Sequence, residues 1–185
     1  KRGEVLAVVG PNGSGKSVLF RALLDLVPYS GKVTWQKGII TGYVPQKLAV
    51  EKDFPLTAGE FMALRGARPE KETEKALEDV GLHKKNKGYE WLLDKKMGQL
   101  SSGQLQRLLI ASSLTGKPDV LLFDEPTAGI DIAGEETIYG LFRKLQASAE
   151  LTVILISHDL SVVHDFTDNV LGLNRKQICF GRPHE

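Results

Sequence analysis

Short apolar segments recur along the chain, and each ends at a glycine or a polar residue. Glu4–Val9 reads EVLAVV and stops at Gly10, Val120–Phe123 reads VLLF, and Thr152–Ile156 reads TVILI. Continuous apolar runs of this length are typical of strands that are covered on both faces of a parallel sheet. The pattern therefore predicts buried strands at these segments, with a further strand over Ile39–Val44.

Helical patterns separate these strands. Val18–Leu26 is apolar enough to form a buried helix, and Ile132–Ser148 has apolar residues at i, i+3, i+4 and i+7. Those four residues are Ile138, Leu141, Phe142 and Leu145. Strands that alternate with helices are joined by crossovers, which place helices on both faces of a mostly parallel sheet. The sequence therefore predicts an α/β fold.

The middle of the chain, residues 46–100, is richer in charged residues than either end and is predicted to be mostly helical. Thr57-Ala-Gly-Glu60 has the spacing of a capping box, which predicts that a helix starts there. A second helix is predicted over Glu70–Val80, with Gly81 as its stop. We expect these helices to form a solvated surface.

Composition and charge narrow the class of protein. The 185 residues are enough for one domain of ordinary size, and 42% of them are hydrophobic. The 24 Lys and Arg nearly balance the 23 Asp and Glu, so bulk charge does not favour a nucleic-acid partner. No apolar run approaches the ~20 residues that a membrane-spanning helix needs. The sequence therefore predicts neither a nucleic-acid partner nor a membrane span.

The segment after the first strand has the form G-x-x-x-x-G-K-[ST] and precedes a predicted helix. The backbone N–H groups of such a loop and the N-terminus of the following helix point at one anion. We expect Lys16 to reach the β- and γ-phosphates of a nucleotide and the Ser17 hydroxyl to bind Mg²⁺. The predicted nucleotide-binding residues are Gly10, Pro11, Asn12, Gly13, Ser14, Gly15, Lys16 and Ser17.

Two carboxylates, Asp124 and Glu125, directly follow the apolar run Val120–Phe123. The carboxyl ends of parallel strands are where ligands bind in such sheets. We expect Asp124 to hold Mg²⁺ through water, and Glu125 to act as the general base that orients the attacking water. Farther upstream, Ser101-Ser-Gly-Gln104 has capping-box spacing, which places Ser101 at a helix N-terminus where an anion could bind.

The segment Leu100-Ser-Ser-Gly-Gln-Leu-Gln-Arg107 resembles the signature motif of the ATP-binding-cassette family, usually written LSGGQ. Other elements of the family pattern follow in the same order. Gln46 resembles the glutamine of the Q-loop, Ala128-Gly-Ile-Asp131 resembles the D-loop, and Ser157-His158-Asp resembles the switch-histidine loop. Since the matches cover nearly the whole chain, the sequence is identified as a member of this family.

The resemblance implies a P-loop NTPase with a RecA-like core of mostly parallel sheet and an inserted α-helical subdomain. The core is expected at residues 1–45 and 116–185, and the helical subdomain with the signature motif at residues 46–115. Family members have antiparallel strands and an adenine-stacking aromatic residue before the point where this sequence starts. We therefore expect those strands to be largely missing, ATP binding to be weaker at the base, and a sheet edge to be exposed near Glu4–Val9.

In this family two cassettes associate head-to-tail, and ATP lies between the phosphate loop of one and the signature motif of the other. The resemblance implies ATP and Mg²⁺ as cofactors and a homodimer as the active form. It implies that His158 bonds the γ-phosphate and that Gln46 is a Mg²⁺ ligand that senses the attacking water. The residues expected to act across the dimer are Ser101, Gly103, Gln104 and Asp131.

Residues 42–48, 54–57 and 173–181 resemble the corresponding regions of bacterial metal-import cassettes. The resemblance implies that ATP hydrolysis powers import of a divalent metal, with zinc the closest match and manganese or iron(II) near alternatives. A membrane permease and an extracytoplasmic binding protein would select the metal. The groove over Lys47–Phe61 would receive a cytoplasmic helix of the permease, so we expect a cytoplasmic protein at the inner face of the cell membrane.

One residue departs from the family pattern, because Ser102 replaces the first glycine of the usual pair. If that position required a positive φ or a close approach of the backbone, serine would cost ~1 kcal/mol. Two other function classes stay open. A soluble cassette ATPase could act on the ribosome or in DNA repair, although repair types contain a coiled coil and no heptads occur here. A nucleotide-binding module without turnover is disfavoured by the presence of Glu125 and His158.

Overall fold

The computed structural model describes residues 2–64, 70–83, 88–125, 138, 140–141, 144, 151–158 and 160–183. The chain forms two compact units. The first consists of Lys1–Tyr43, Asp119–Glu125 and Leu145–Glu185, and the second of Val44–Pro118 and Pro126–Lys144.

A six-stranded sheet has the order β2-β3-β4-β1-β5-β6. Its strands are β1 (Val5–Val9), β2 (Thr41–Val44), β3 (Val120–Asp124), β4 (Thr152–Ile156), β5 (Asn169–Leu173) and β6 (Gln177–Gly181). β1 pairs in parallel with β4 and β5, and β3 pairs in parallel with β4, whereas β5 and β6 are antiparallel. The predicted α/β fold with a mostly parallel sheet is therefore confirmed.

The expectation of an exposed sheet edge at Glu4–Val9 is wrong. β1 lies inside the sheet between β4 and β5, and Val5, Ala7 and Val8 are buried. The side chain of Asp168 also accepts a hydrogen bond from the Val5 backbone N–H at 2.7 Å. Since both edges of β1 are paired, its backbone groups are satisfied along its length.

The difference in burial between strands follows their position in the sheet. Every residue of β3 is buried, as a continuous apolar run predicts for a strand covered on both faces. β6 is one of the two edge strands and exposes most of its length, including Ile178 and Phe180. The sheet is therefore covered around β1, β3 and β4, which are three of the strands predicted from sequence. The fourth, predicted over Ile39–Val44, is the edge strand β2.

Helix α1 (Lys16–Leu23) covers this part of the sheet. Phe20 is fully buried in a cluster with Val8, Val120, Leu122 and Ile156. The predicted helix Val18–Leu26 is shorter at its end and only partly buried, because Val18 and Leu26 are 59% and 62% exposed. One face of α1, rather than all of it, packs on the sheet.

The second unit is helical. It contains α2 (Ala58–Leu64), α3 (Glu70–Asp79), α4 (Glu90–Leu93), a 3₁₀-helix (Met97–Gln99) and α5 (Ser102–Thr115). α3 packs on α5 and α2 on α4, around the buried side chains of Met62, Leu77, Leu92, Met97 and Leu108. In the first unit, α6 (Leu160–Phe166) precedes β5.

Both predicted capping boxes are present in the second unit. The Glu60 N–H donates to Thr57 Oγ1 at 3.1 Å, and Glu60 Oε2 accepts from the Thr57 N–H at 2.8 Å. At α5, the Gln104 N–H donates to Ser101 Oγ at 3.2 Å, and Gln104 Oε1 accepts from the Ser101 N–H at 3.1 Å. These reciprocal bonds satisfy donors that the first turn of a helix otherwise leaves open.

The predicted helix over Ile132–Ser148 lies largely outside the described residues. Of its apolar positions the structure describes Ile138 and Leu141, which are helical and buried. Among the described residues, none of the helices is both long and apolar enough to span a membrane.

Candidate nucleotide-binding site

The carboxyl ends of β1, β3 and β4 meet at one edge of the sheet. Ile156 at the end of β4 pairs with Val8 of β1 on one side and with Asp124 of β3 on the other. The segments that follow these strands therefore leave the sheet side by side. They carry the glycine-rich loop, the carboxylates Asp124 and Glu125, and His158, so the structure brings these predicted site residues into one region.

The glycine-rich loop is folded around its own lysine. Lys16 is buried, and its Nζ donates to the carbonyl oxygens of Gly10 at 2.8 Å and Pro11 at 3.2 Å. An ammonium group has three donors, so these two bonds leave one for an anion bound by the loop. Gly15 caps α1 with a φ of 100°, a left-handed conformation that favours glycine. The N-terminus of α1 and the Lys16 ammonium group therefore face the same position, which is the arrangement that phosphate binding requires.

The turn between β5 and β6 supports the loop from outside, which sequence analysis missed. The Arg175 N–H donates to the Ser14 carbonyl oxygen at 2.9 Å. A Cβ at Gly10 would overlap the carbonyl oxygen of Leu173, so only glycine allows this approach. The Ser14 hydroxyl is buried and has no hydrogen-bond partner in the described part of the chain. The sequence holds one signal for this contact: Asn174-Arg175 directly follow β5, which ends at the same sheet edge as β1.

Asp124 and Ser17 form the contact that links the loop to the sheet. Ser17 Oγ donates to Asp124 Oδ1 at 3.2 Å, and Asp124 is only 3% exposed. Burial raises the pKa of the Asp124 carboxyl above its ordinary value of 3.8, and the nearby charge of Glu125 raises it further. Hydrogen bonds from Ser17 and Tyr43 and the charge of Arg21 partly offset this rise. Two oxygen groups facing each other beside a phosphate cradle fit Mg²⁺, which prefers oxygen ligands.

Glu125 and His158 lie together beyond this pair. His158 Nδ1 is 3.5 Å from Glu125 Oε1, and the two side chains are 75% and 15% exposed. Glu125 has a φ of 49°, which is uncommon for a residue other than glycine, and its N–H donates to the Ile156 carbonyl oxygen at 3.1 Å. Strained backbone of this kind is found at functional sites, where the surrounding structure holds it. A carboxylate and an imidazole that share a contact can orient and deprotonate a water molecule.

The other predicted site residues belong to the second unit or lie outside the described residues. Gln46 is exposed and follows the end of β2, and the neighbouring Pro45 carbonyl oxygen accepts from Gln106 Nε2 at 3.3 Å. Ser101 caps α5, and Gly103 has open space around its Cα. Ser102 is the first residue of α5 and has no positive φ, so serine causes no left-handed backbone strain there. Asp131 lies outside the described residues.

Tyr43 and Arg21 also border Asp124, and neither is among the site residues predicted from the sequence. Burial raises the pKa of Tyr43 above 10.0, and the charge of Asp124 raises it further, whereas Arg21 lowers it. Arg21 lies four residues after Ser17 on α1, so the helical period was the available signal for placing it on the same face.

Two protein-family models and several curated proteins match the chain. Residues 1–128 match the protein-family model described as "ABC transporter", and residues 96–164 match a model of an AAA domain. The zinc import ATP-binding protein ZnuC of Cereibacter sphaeroides is 41% identical over 181 residues, which are 97% of this chain and 72% of that protein. The protein of the same name from Roseobacter denitrificans is 40% identical over 98% of this chain and 69% of its own length.

The fold also matches a solved structure. An ABC transporter in an inward-facing conformation superposes with a TM-score of 0.82. The match covers 100% of this chain and 75% of that chain, at 26% sequence identity.

The raised pKa of Asp124 gives a testable pH dependence. A carboxyl whose pKa is higher in the folded than in the unfolded protein stabilises the fold below its unfolded pKa, and this contribution is lost as pH rises through the folded pKa. Without Mg²⁺ at pH 7, Asp124→Asn should therefore unfold at higher urea concentration than wild type. The difference should shrink as pH falls towards 3.8. Asp53→Asn, at an exposed position, is the control and should leave the midpoint at pH 7 unchanged.

A urea midpoint of Asp124→Asn at or below that of wild type at pH 7 would contradict the assignment of a buried, unfavourable charge to Asp124.

Proposed function

The chain belongs to the ABC transporter family of ATP-hydrolysing subunits, and on this premise we propose that Gly10–Ser17, Asp124, Glu125 and His158 form its catalytic site. The observation that carries the proposal is the meeting of these groups at one sheet edge. In particular, Ser17 contacts Asp124 at 3.2 Å and His158 contacts Glu125 at 3.5 Å. The Ser17–Asp124 pair is suited to bind a metal ion beside the phosphates, and the His158–Glu125 pair is suited to orient and deprotonate water.

The proposed chemistry follows from the positions of these groups. The loop N–H groups, the α1 N-terminus and Lys16 bind the phosphates and stabilise the charge that develops during phosphoryl transfer. Ser17 and Asp124 hold Mg²⁺, which neutralises charge on the phosphates when it is bound. Glu125 orients the attacking water and takes its proton, while His158 donates to the γ-phosphate. The Glu125 side chain is only 15% exposed, which shields its carboxylate from bulk solvent.

We further propose that a second copy completes the site. Ser101 Oγ accepts the Gln104 N–H at the start of α5, which leaves the hydroxyl hydrogen to donate to a γ-phosphate of the partner copy. Gly103 next to it has open space that lets an anion approach the α5 N-terminus. Asp131 is proposed to act at the same interface, and Gln46 to contact Mg²⁺ and the water.

The proposed division of the chain places the nucleotide-binding core at residues 1–45 and 116–185 and the helical subdomain at 46–115. The position of α2 to α5 within Val44–Pro118 supports the bounds of the helical subdomain, whereas Pro126–Lys144 group with the second unit rather than with the proposed core. We propose that Lys47–Phe61 receives a helix of a membrane permease, supported by the exposed side chains of Leu48 and Phe54. The protein would then work at the cytoplasmic face of the membrane.

Zinc is the proposed cargo of the complete transporter. The support is the 40–41% identity to zinc import ATP-binding proteins over nearly the whole chain. The metal itself would be selected by the permease and an extracytoplasmic binding protein, so zinc is a substrate of the assembly rather than a ligand of this chain.

Replacing Glu125 tests the catalytic proposal. Glu125→Gln should lower the ATPase rate at least ~100-fold, because a general base contributes rate factors of this size. It should also increase the ATP-dependent dimer measured by light scattering, because ATP bound between two copies is no longer consumed. Glu78→Gln, on the exposed side of α3, is the matched control and should keep the wild-type rate. Unchanged turnover in Glu125→Gln would reject Glu125 as the base.

Growth of the source organism tests the cargo. Deleting the gene that encodes this chain should slow growth in medium depleted by a zinc chelator, and added zinc, but not manganese, should restore it. The wild-type gene should complement the deletion, whereas the Glu125→Gln gene should not. Rescue by manganese or iron(II) instead of zinc would assign a different metal to the transporter.

A further inference from the structure

Tyr43 connects two charged side chains at the border of the candidate site. It lies in β2, which neighbours β3 in the sheet, and its ring packs partly buried against the cluster around Phe20. The Tyr43 hydroxyl is hydrogen-bonded to the side chains of both Arg21 and Asp124. The tyrosine therefore touches the carboxylate that the proposed function assigns to Mg²⁺.

The chemistry of the two partners fixes the direction of these hydrogen bonds. A guanidinium group has only donors, so the Tyr43 oxygen accepts from Arg21. An ionised carboxylate has only acceptors, so the Tyr43 hydroxyl donates to Asp124. The result is a chain of donors that runs from Arg21 through Tyr43 to Asp124.

A second donor holds Asp124 from another element. Ser17 Oγ on α1 donates to Asp124 Oδ1 at 3.2 Å. Ser17 and Arg21 are four residues apart on the same helix, so both side chains leave the same face. The carboxylate is thus fixed between a hydroxyl of α1 and a hydroxyl of β2, and Arg21 orients the second of these.

We propose that Tyr43 is a positioning residue for Mg²⁺, whose hydroxyl, oriented by Arg21, fixes the Asp124 carboxylate towards the cation that Ser17 also binds. This inference rests on the Mg²⁺ site of the proposed function and adds to it a residue that touches neither ATP nor the metal. Partners of this kind, which orient a ligand without binding the metal, typically change metal affinity by ~10–100-fold.

Tyr43→Phe tests the proposal, because it removes the hydroxyl and keeps the ring in the core. Calorimetry measures the affinity for a non-hydrolysable ATP analogue in EDTA and in Mg²⁺. In EDTA the variant should bind like wild type, since the loop contacts to phosphate are intact. In Mg²⁺ the gain in affinity should be ~10-fold smaller than in wild type. Tyr29→Phe, at an exposed tyrosine, is the matched control and should behave like wild type in both conditions.

Arg21→Met gives an independent test of the donor chain. It keeps most of the side-chain length and removes the guanidinium group, so the Mg²⁺-dependent gain should fall in the same direction but by less. Because the hydrogen-bonded part of the Arg21 effect passes through Tyr43, while its charge also acts directly on Asp124, the double variant should lose less than the sum of the two single losses. An additive loss in the double variant would overturn the chain and would show that the two residues act separately.

Two outcomes would overturn the role of Tyr43 while leaving the site itself standing. In the first, Mg²⁺ raises the affinity of Tyr43→Phe for the ATP analogue as much as it does in wild type, but no longer raises the affinity of Asp124→Asn. The second is an equal loss of affinity in EDTA and in Mg²⁺, which would indicate general damage to the loop. If wild type itself gained no affinity from Mg²⁺, the proposed Mg²⁺ site would fail, and the positioning role with it.

Discussion

The parallel pairing of β4 with β1 on one side and β3 on the other is the constraint on which the site depends. In this register Ile156 lies beside both Val8 and Asp124, so three chain segments leave the sheet at the same level. A slip of one residue would turn every side chain of a strand to the other face of the sheet. It would separate Asp124 from Ser17, which contact each other from different elements. The geometry of the proposed catalytic site is therefore a consequence of strand register more than of any single side chain.

The buried charge of Asp124 explains why this edge is suited to a metal–nucleotide complex. The carboxylate is almost fully buried, its pKa is raised by that burial, and the carboxylate of Glu125 lies next to it in sequence. A folded protein tolerates such a charge when a cation or donors compensate for it. Ser17, Tyr43 and Arg21 do so partly, and Mg²⁺ would complete the compensation. Lys16 is likewise a buried charge that is only partly compensated, by the carbonyl oxygens of the loop, and a bound phosphate would complete its compensation.

Features set by neighbouring residues could be predicted from the sequence. The loop Gly10–Ser17, the capping boxes at Thr57 and Ser101, and the carboxylates after β3 all depend on contacts within a few residues or on the end of one strand. Local spacing is enough to define such features. The roles of Gln46 and Asp131 stay predictions. Gln46 belongs to the second unit and Asp131 lies outside the described residues, so only the sequence motifs relate them to the loop.

Features set by distant pairing could not be predicted. The segment Glu4–Val9 was expected at a sheet edge, yet it pairs with β5, which is separated from it by most of the chain. Nothing in the apolar pattern of β1 specifies its neighbours, because an interior strand and a covered edge strand have the same composition. Tyr43 and Arg175 were missed for the same reason, since each reaches the site only through tertiary contacts.

The most direct test of the central claim is competition binding of ATP, AMP and inorganic triphosphate in the presence of Mg²⁺. The proposed contacts to the nucleotide lie at its phosphates, in the loop Gly10–Ser17 and especially at Lys16. ATP and triphosphate should therefore compete for one site, and AMP should bind at least ~10-fold more weakly because it lacks the β- and γ-phosphates and their charge-assisted contacts. Binding of AMP as tight as that of ATP, with no competition from triphosphate, would contradict this claim.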